Sequence, residues 1–316
     1  MVVLVVATIQ DPGSINPARV LLGMPGWEPG PNMEGIKTFK NGTFLRLLEQ
    51  EKTIIEEDDL DQRWENLSGE VVDEIIFLSK HTAVSSRAAL TIHPIGIPHL
   101  KEGDKLPQGG KPGWAGPPSP RMGAWLVLLK KIATAHNLVP EFEITFEATH
   151  HGPVTSKPTM FIEIGSTEEH WGRDDAAHVI AQLIWEGLGL GGGCPVGEWN
   201  SKTGNKKILL GLGGGHYVPR HMDVIHKEKC WVGHFLSGYA LPMEDPGQLK
   251  GKSSAAVGGT WRQAITVAYE ATRAAFPGGE VLAHVDQKSF KAWQKKAITE
   301  YLGEQNIKIG KPGDFS

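Results

Sequence analysis

The stretch 145–153, Thr-Phe-Glu-Ala-Thr-His-His-Gly-Pro, sets Glu147 three residues ahead of the adjacent pair His150 and His151. Neutral imidazoles are metal ligands, and a carboxylate beside them is either a further ligand or a base for water. Three other histidines stand in a comparable place, each just past a run that reads as a strand. His81 follows 71–79, His93 follows 88–92, and His216 follows 207–210 and the glycines Gly213, Gly214 and Gly215. If those strands were parallel, their ends would gather the imidazoles at one rim of a sheet, where open α/β sheets bind ligands. Such a group, with Glu147 or Glu163 among it, is what a catalytic Zn2+ site uses: three protein ligands and one open position. Bound water there has a pKa of about 7 and becomes a nucleophile at neutral pH. The competing explanation is thirteen histidines scattered as caps and core groups over 316 residues. No HExxH pair fixes the ligands, so His81, His93, His150, His151 and His216 stand as candidates together.

The elements that would carry these residues alternate between strand and helix patterns, which predicts an α/β domain. Residues 142–146 alternate polar and apolar before Gly152-Pro153 stops the run. Residues 2–8 are rich in β-branched side chains and read as a buried first strand. The stretch 11–32 shows no period and reads as a long Gly/Pro-rich connection, as does 98–120. Ser119-Pro120 signals a helix start. Capping boxes at 166–169 and 260–263 signal two more, the first continuing to Gly187. Asp286 is expected to cap a last helix carrying Lys288, Lys291, Lys295 and Lys296 on a solvated face. Residues 51–70 form an acidic insertion, expected to lie away from any anionic substrate.

Composition narrows the function. A net charge of −4 excludes a strongly basic nucleic-acid binder, so any RNA contact must come from local groups such as Lys206, Lys207, Tyr217 and the glycine loop. Two cysteines, Cys194 and Cys230, provide neither a disulfide framework nor a zinc knuckle. The first residues lack a basic n-region, and no run is long enough to span a bilayer, so a cytoplasmic protein without an obligate protein partner is expected. Gly251-Lys252-Ser253 is not a P-loop, because Gly247 lies one residue too close.

Several motifs in order carry a resemblance. They are 1–5 with Asp11-Pro12-Gly13-Ser14, Ser79-Lys80-His81, the run 90–96, the run 147–153, and Gly213-Gly214-Gly215-His216-Tyr217. Together, over nearly the whole chain, they resemble the archaeal- and plant-type D-aminoacyl-tRNA deacylases, the second, zinc-dependent family with that activity. The resemblance implies a phosphorylase/hydrolase-like α/β fold with a mixed, mostly parallel sheet flanked by helices, forming one domain over 1–316. It also implies a zinc requirement and hydrolysis of the ester joining a D-amino acid to tRNA. Residue roles remain those read from spacing: Glu147, Glu163 and His151 in catalysis, the histidines on the metal, and the glycine loop with Lys206 and Lys207 on tRNA. A zinc amidase or peptidase on the same fold and a non-catalytic tRNA-binding protein are the rival readings.

Overall fold

The computed structural model describes residues 1–33, 35–106, 109–202, 206–228, 230–245, 247 and 257–316; Pro107 and Gln108 of the 98–120 loop and Gly251-Lys252-Ser253 lie outside these. The main sheet has eight strands. In chain order they are β1 (Val2–Thr8), β2 (Trp27–Pro29), β3 (Lys37–Asn41), β4 (Leu45–Gln50), β5 (Val72–Lys80), β6 (Ala89–His93), β7 (Glu143–Phe146) and β8 (Thr159–Gly165). Their spatial order is β2-β3-β4-β1-β5-β8-β6-β7, with β4, β1, β5 and β8 parallel. A second, all-parallel sheet of β9 (Lys207–Leu212), β10 (Trp231–Leu236) and β11 (Glu280–Val285) has the order β10-β9-β11.

Strand β1 shows why its seven residues are all apolar but one: it is covered on both faces. Val3, Val5 and Ala7 pack with Ile15, Ala18 and Leu21 of helix α1 (Pro12–Leu22), in a cluster that also takes in α3 (Met122–Ala135) and α5 (Asp174–Gly187). Leu4 and Val6 face the other way, onto Leu60 and Trp64 of α2 (Leu60–Ser68). The first cluster also includes Leu209, Val232, Phe235 and Leu282 of the second sheet, so the two sheets share a core.

Several expectations give way here. The supposed connection 11–32 contains α1, capped by the Asp11 carboxylate on the Gly13 amide, with buried Ile15, Ala18 and Leu21 overriding the poor helix-forming Gly13 and Pro17. The strands between 27 and 50 were hidden although Asn41-Gly42 is a hairpin signal. The helix expected from 166 to 187 is broken at Gly172 into α4 (Glu168–Trp171) and α5. Ser119 caps only the Arg121 amide and bonds Glu74, and α3 starts at Met122. Asp286 accepts the Lys288 amide in a turn, while the last helix, α8 (Ala292–Glu304), begins beyond Lys288 and Lys291. Helices α6 (Pro219–Glu228) and α7 (Trp261–Ala275) complete the second sheet's surroundings. No helix among the described residues is long and apolar enough to cross a membrane.

The segment after β7 bolts the sheets together. Ala148 and Thr149 donate their amides to the His216 and Phe235 carbonyls, both at 2.7 Å. The Thr149 hydroxyl accepts the Phe235 amide at 3.0 Å and donates to Nδ1 of buried His234, whose Nε2 donates to the Gly116 carbonyl at 2.9 Å. Burial pushes His234 down to about 4, the Gly116 carbonyl opposing, so the ring is neutral and acts as one donor and one acceptor. A folded value below the unfolded one, about 6.5, means that the unfolded chain takes up the proton first. Stability is therefore full above pH ~6.5 and falls as the pH drops toward 4, by roughly 1.4 kcal/mol per pH unit for each such ring. Urea midpoints measured from pH 7 to pH 4 are expected to fall, and to fall less steeply in His234→Gln; equal slopes would remove His234 from the account.

Candidate active site and metal centre

Sheet geometry brings the predicted residues together, though not at a common rim. Strand β6 runs antiparallel to β8, and β7 follows β6. His93, at the end of β6, therefore sits opposite Phe161, and Thr91 sits opposite Glu163. Directly paired residues share a face of the sheet, so His93, Phe161, Glu163 and the neighbouring Ser79 of β5 all belong to the α2 side. The His93 ring stacks on Phe161 at 4.9 Å between centroids. His81 arrives over the end of β5. It can do so because residue 165 is glycine: a Cβ there would stand 2.8 Å from that of His81.

Five imidazoles and two carboxylates meet. His93, His150 and His151 form one group whose ligand atoms lie within 4.8 Å of one another, and His81, Glu147 and His216 form another. His150 joins the two, its ring 4.2 Å from His93 and 4.8 Å from His216. Nε2 of His216 is 2.7 Å from Glu147 Oε2, and Nδ1 of His81 is 3.1 Å from the same oxygen and 3.4 Å from Glu163 Oε2. Tyr217 also belongs to the site, its hydroxyl 2.9 Å from His81 Nε2. Unforeseen in the sequence is Tyr239, whose hydroxyl lies 3.0 Å from His216 Nδ1 and which no motif marks.

The two groups differ in charge. In the first, His93 and His150 donate their Nδ1 protons to the carbonyls of Pro94 and Ala148, at 3.1 and 2.8 Å. That leaves lone pairs on both Nε2 atoms. His93 Nε2, His151 Nδ1, Glu163 Oε1 and Glu147 Oε1 are buried without a hydrogen-bond partner. Burial drives His150 well below its ordinary value and His151 to about 4, each ring also repelling charge on its neighbours. For His93, burial is outweighed by Glu163 3.6 Å away, and its value is raised. In the second group, burial opposes charge on His81, but Glu147 and Glu163 raise it to about 11. Burial would lift Glu147, yet His216 and His81 hold it well below the usual carboxylate range; Glu163 is lowered likewise by His81 and His93. Buried ring nitrogens without a hydrogen-bond partner, beside unpaired carboxylate oxygens, are what a divalent cation satisfies. The donor set fits zinc, which takes imidazole and carboxylate together.

The cavity over the site, about 440 Å³, is lined by His81, His150, His151, Glu163 and His216 on one side and by Thr53, Ile54 and Ile55 on another. The acidic insertion is thus not remote. Ile54, Leu60 and Trp64 pack on the sheet, and Asp58 and Asp61 accept the amides of Val154 and Ser156, just past the histidine pair. The glycine loop does not offer an amide cradle: Gly213 and Gly214 donate to the Leu236 carbonyl and the Ser289 hydroxyl, while their φ of +94° and +92° turn the chain toward His216. Lys206 and Lys207 are not brought to the site, because they stand at the start of β9 and the glycines at its end.

The family of D-aminoacyl-tRNA deacylases matches residues 68–310. The chain belongs to the D-aminoacyl-tRNA deacylase family. It is 64% identical over 320 residues to a D-aminoacyl-tRNA deacylase of Arabidopsis thaliana, covering all of both chains. It is 28% identical over 318 residues to the D-aminoacyl-tRNA deacylase of Methanosarcina barkeri (strain Fusaro / DSM 804), covering 98% of this chain and 90% of that one. The solved structure of a conserved protein of unknown function, AF0625, superposes with a TM-score of 0.75 at 25% identity, over 99% of this chain and 96% of that one. In this deacylase-family site, Glu147 is the carboxylate nearer to His81. After chelator treatment, Glu147→Gln is expected to lower the His81 titration from about 11 toward neutrality, read by imidazole nitrogen chemical shifts. A titration that stays put would assign the raised value to Glu163 alone.

Proposed function

We propose that the chain hydrolyses the ester of D-aminoacyl-tRNA in a zinc-dependent reaction, releasing free D-amino acid and tRNA. The observation that carries the reading is the meeting of His93, His150 and His151, each with a ring nitrogen within 4.8 Å of the others, beside the unpaired oxygen of Glu163. These residues would hold the ion, and the second group would handle protons. Zinc bound there supplies Lewis acidity and lowers the pKa of water to about 7. His216 faces the cavity with its ring oriented from both sides, by Glu147 at 2.7 Å and Tyr239 at 3.0 Å. With Nε2 on Glu147, its Nδ1 can take a proton from the attacking water through the Tyr239 hydroxyl and return it by the same route to the ribose oxygen that leaves, with Glu147 stabilising the charged ring in between. His81, charged between two carboxylates, holds Glu147 and Glu163 in place and presents Nε2 with the Tyr217 hydroxyl to the substrate side.

A zinc amidase would need the same donor set, but membership in the deacylase family favours the ester. Purified protein is expected to contain zinc and to release D-amino acid from D-aminoacyl-tRNA. Chelation should abolish turnover, zinc should restore it, and His151→Ala should lower kcat by roughly two orders of magnitude or more. Turnover that survives complete metal removal would refute the zinc assignment, and cleavage of a D-peptide amide in preference to the tRNA ester would refute the substrate.

A further inference from the structure

The cavity has a polar end that the hydrolytic account leaves unused. Asp11 and Thr8 line it, 92% and 95% buried by their exposures of 8% and 5%. The Asp11 carboxylate accepts the amides of Gly13 and Lys80, each at 2.9 Å. Two amides leave about half of a carboxylate's four acceptor directions open. The Thr8 hydroxyl oxygen is buried with no partner at all. Burial and the nearby Glu163 push the Asp11 carboxyl above its ordinary value, although both amides and the charge of Lys80 oppose this, and among the described residues no cation forms an ion pair with it. Lys80 does not fill that role: its ammonium lies over the Trp171 ring, 4.4 Å from the centroid. A buried carboxylate and an unpaired hydroxyl in a cavity suit a small ammonium group.

We infer that Asp11 and Thr8 bind the α-ammonium of the aminoacyl group. The inference rests on the deacylase reading above and supplies what that reading lacks, a basis for handedness. Three fixed points define a chiral centre. The ester carbonyl lies at the histidines, the ammonium at Asp11 and Thr8, and the side chain against Ile54 and Ile55. The opposite enantiomer, held by its carbonyl and ammonium, would turn its side chain away from that wall.

The test compares kcat/KM on D-aminoacyl-tRNA with that on the same tRNA carrying the N-acetylated D-amino acid, which has no ammonium. Taking the ratio of the two substrates within one protein cancels any difference in folded fraction. Wild type is expected to favour the free amine by about 10- to 100-fold, the worth of a hydrogen bond to a charged group. Asp11→Asn should abolish most of that preference. Thr8→Val, which keeps the volume and does not disturb the α1 cap, should reduce it in the same direction. A ratio equal in wild type and both variants would overturn the ammonium site alone. A wild type that hydrolyses neither substrate would overturn the deacylase reading, and this inference with it.

Discussion

Glu147 is a carboxylate with no exposure to solvent, and the site exists because that charge is answered from several sides. Burying an ionised carboxylate alone is prohibitive. His216 and His81 approach one of its oxygens within 3.1 Å, and they come from different sheets. The bonds from Ala148 and Thr149 to the second sheet lie one and two residues further on, so the same segment that bears the charge also ties the two layers. Folding and site assembly are one event here. A chain that failed to dock its second sheet would deprive Glu147 of His216, its nearest partner.

The two groups of histidines divide the work by electrostatics. His150 and His151 are kept proton-free by burial and by their neighbouring rings, His93 is raised by Glu163, and backbone carbonyls fix the tautomers of His93 and His150. His81 is kept charged by the two carboxylates. The two groups adjoin through His150, whose ring is 4.2 Å from that of His93 and 4.8 Å from that of His216.

The histidines were legible in the sequence because each stands just after a strand-like run, and in the structure the five rings lie together. The sequence could not show how they converge. The expected rim of parallel strand ends was replaced by a sheet face, since nothing in residues 89–93 or 143–146 reveals that these strands run against β8. Lys206 and Lys207 looked suitable for phosphate by charge alone, and only strand direction puts them at the wrong end of β9. Tyr239, Thr8 and Ile54 carry no motif; their importance comes from tertiary neighbours. Helix α1 was concealed by Gly13 and Pro17, whose local preferences lose to the packing of Ile15 and Leu21.

The acidic segment that forms one wall of the cavity is fastened to the loop behind His151 by Asp58 and Asp61, yet contributes no donor to either histidine group. Volume and chemistry at this centre are thus carried on separate stretches of chain joined by two carboxylates. Exchanging Ile54 and Ile55 for larger or smaller residues would therefore reshape the cavity without touching either histidine group.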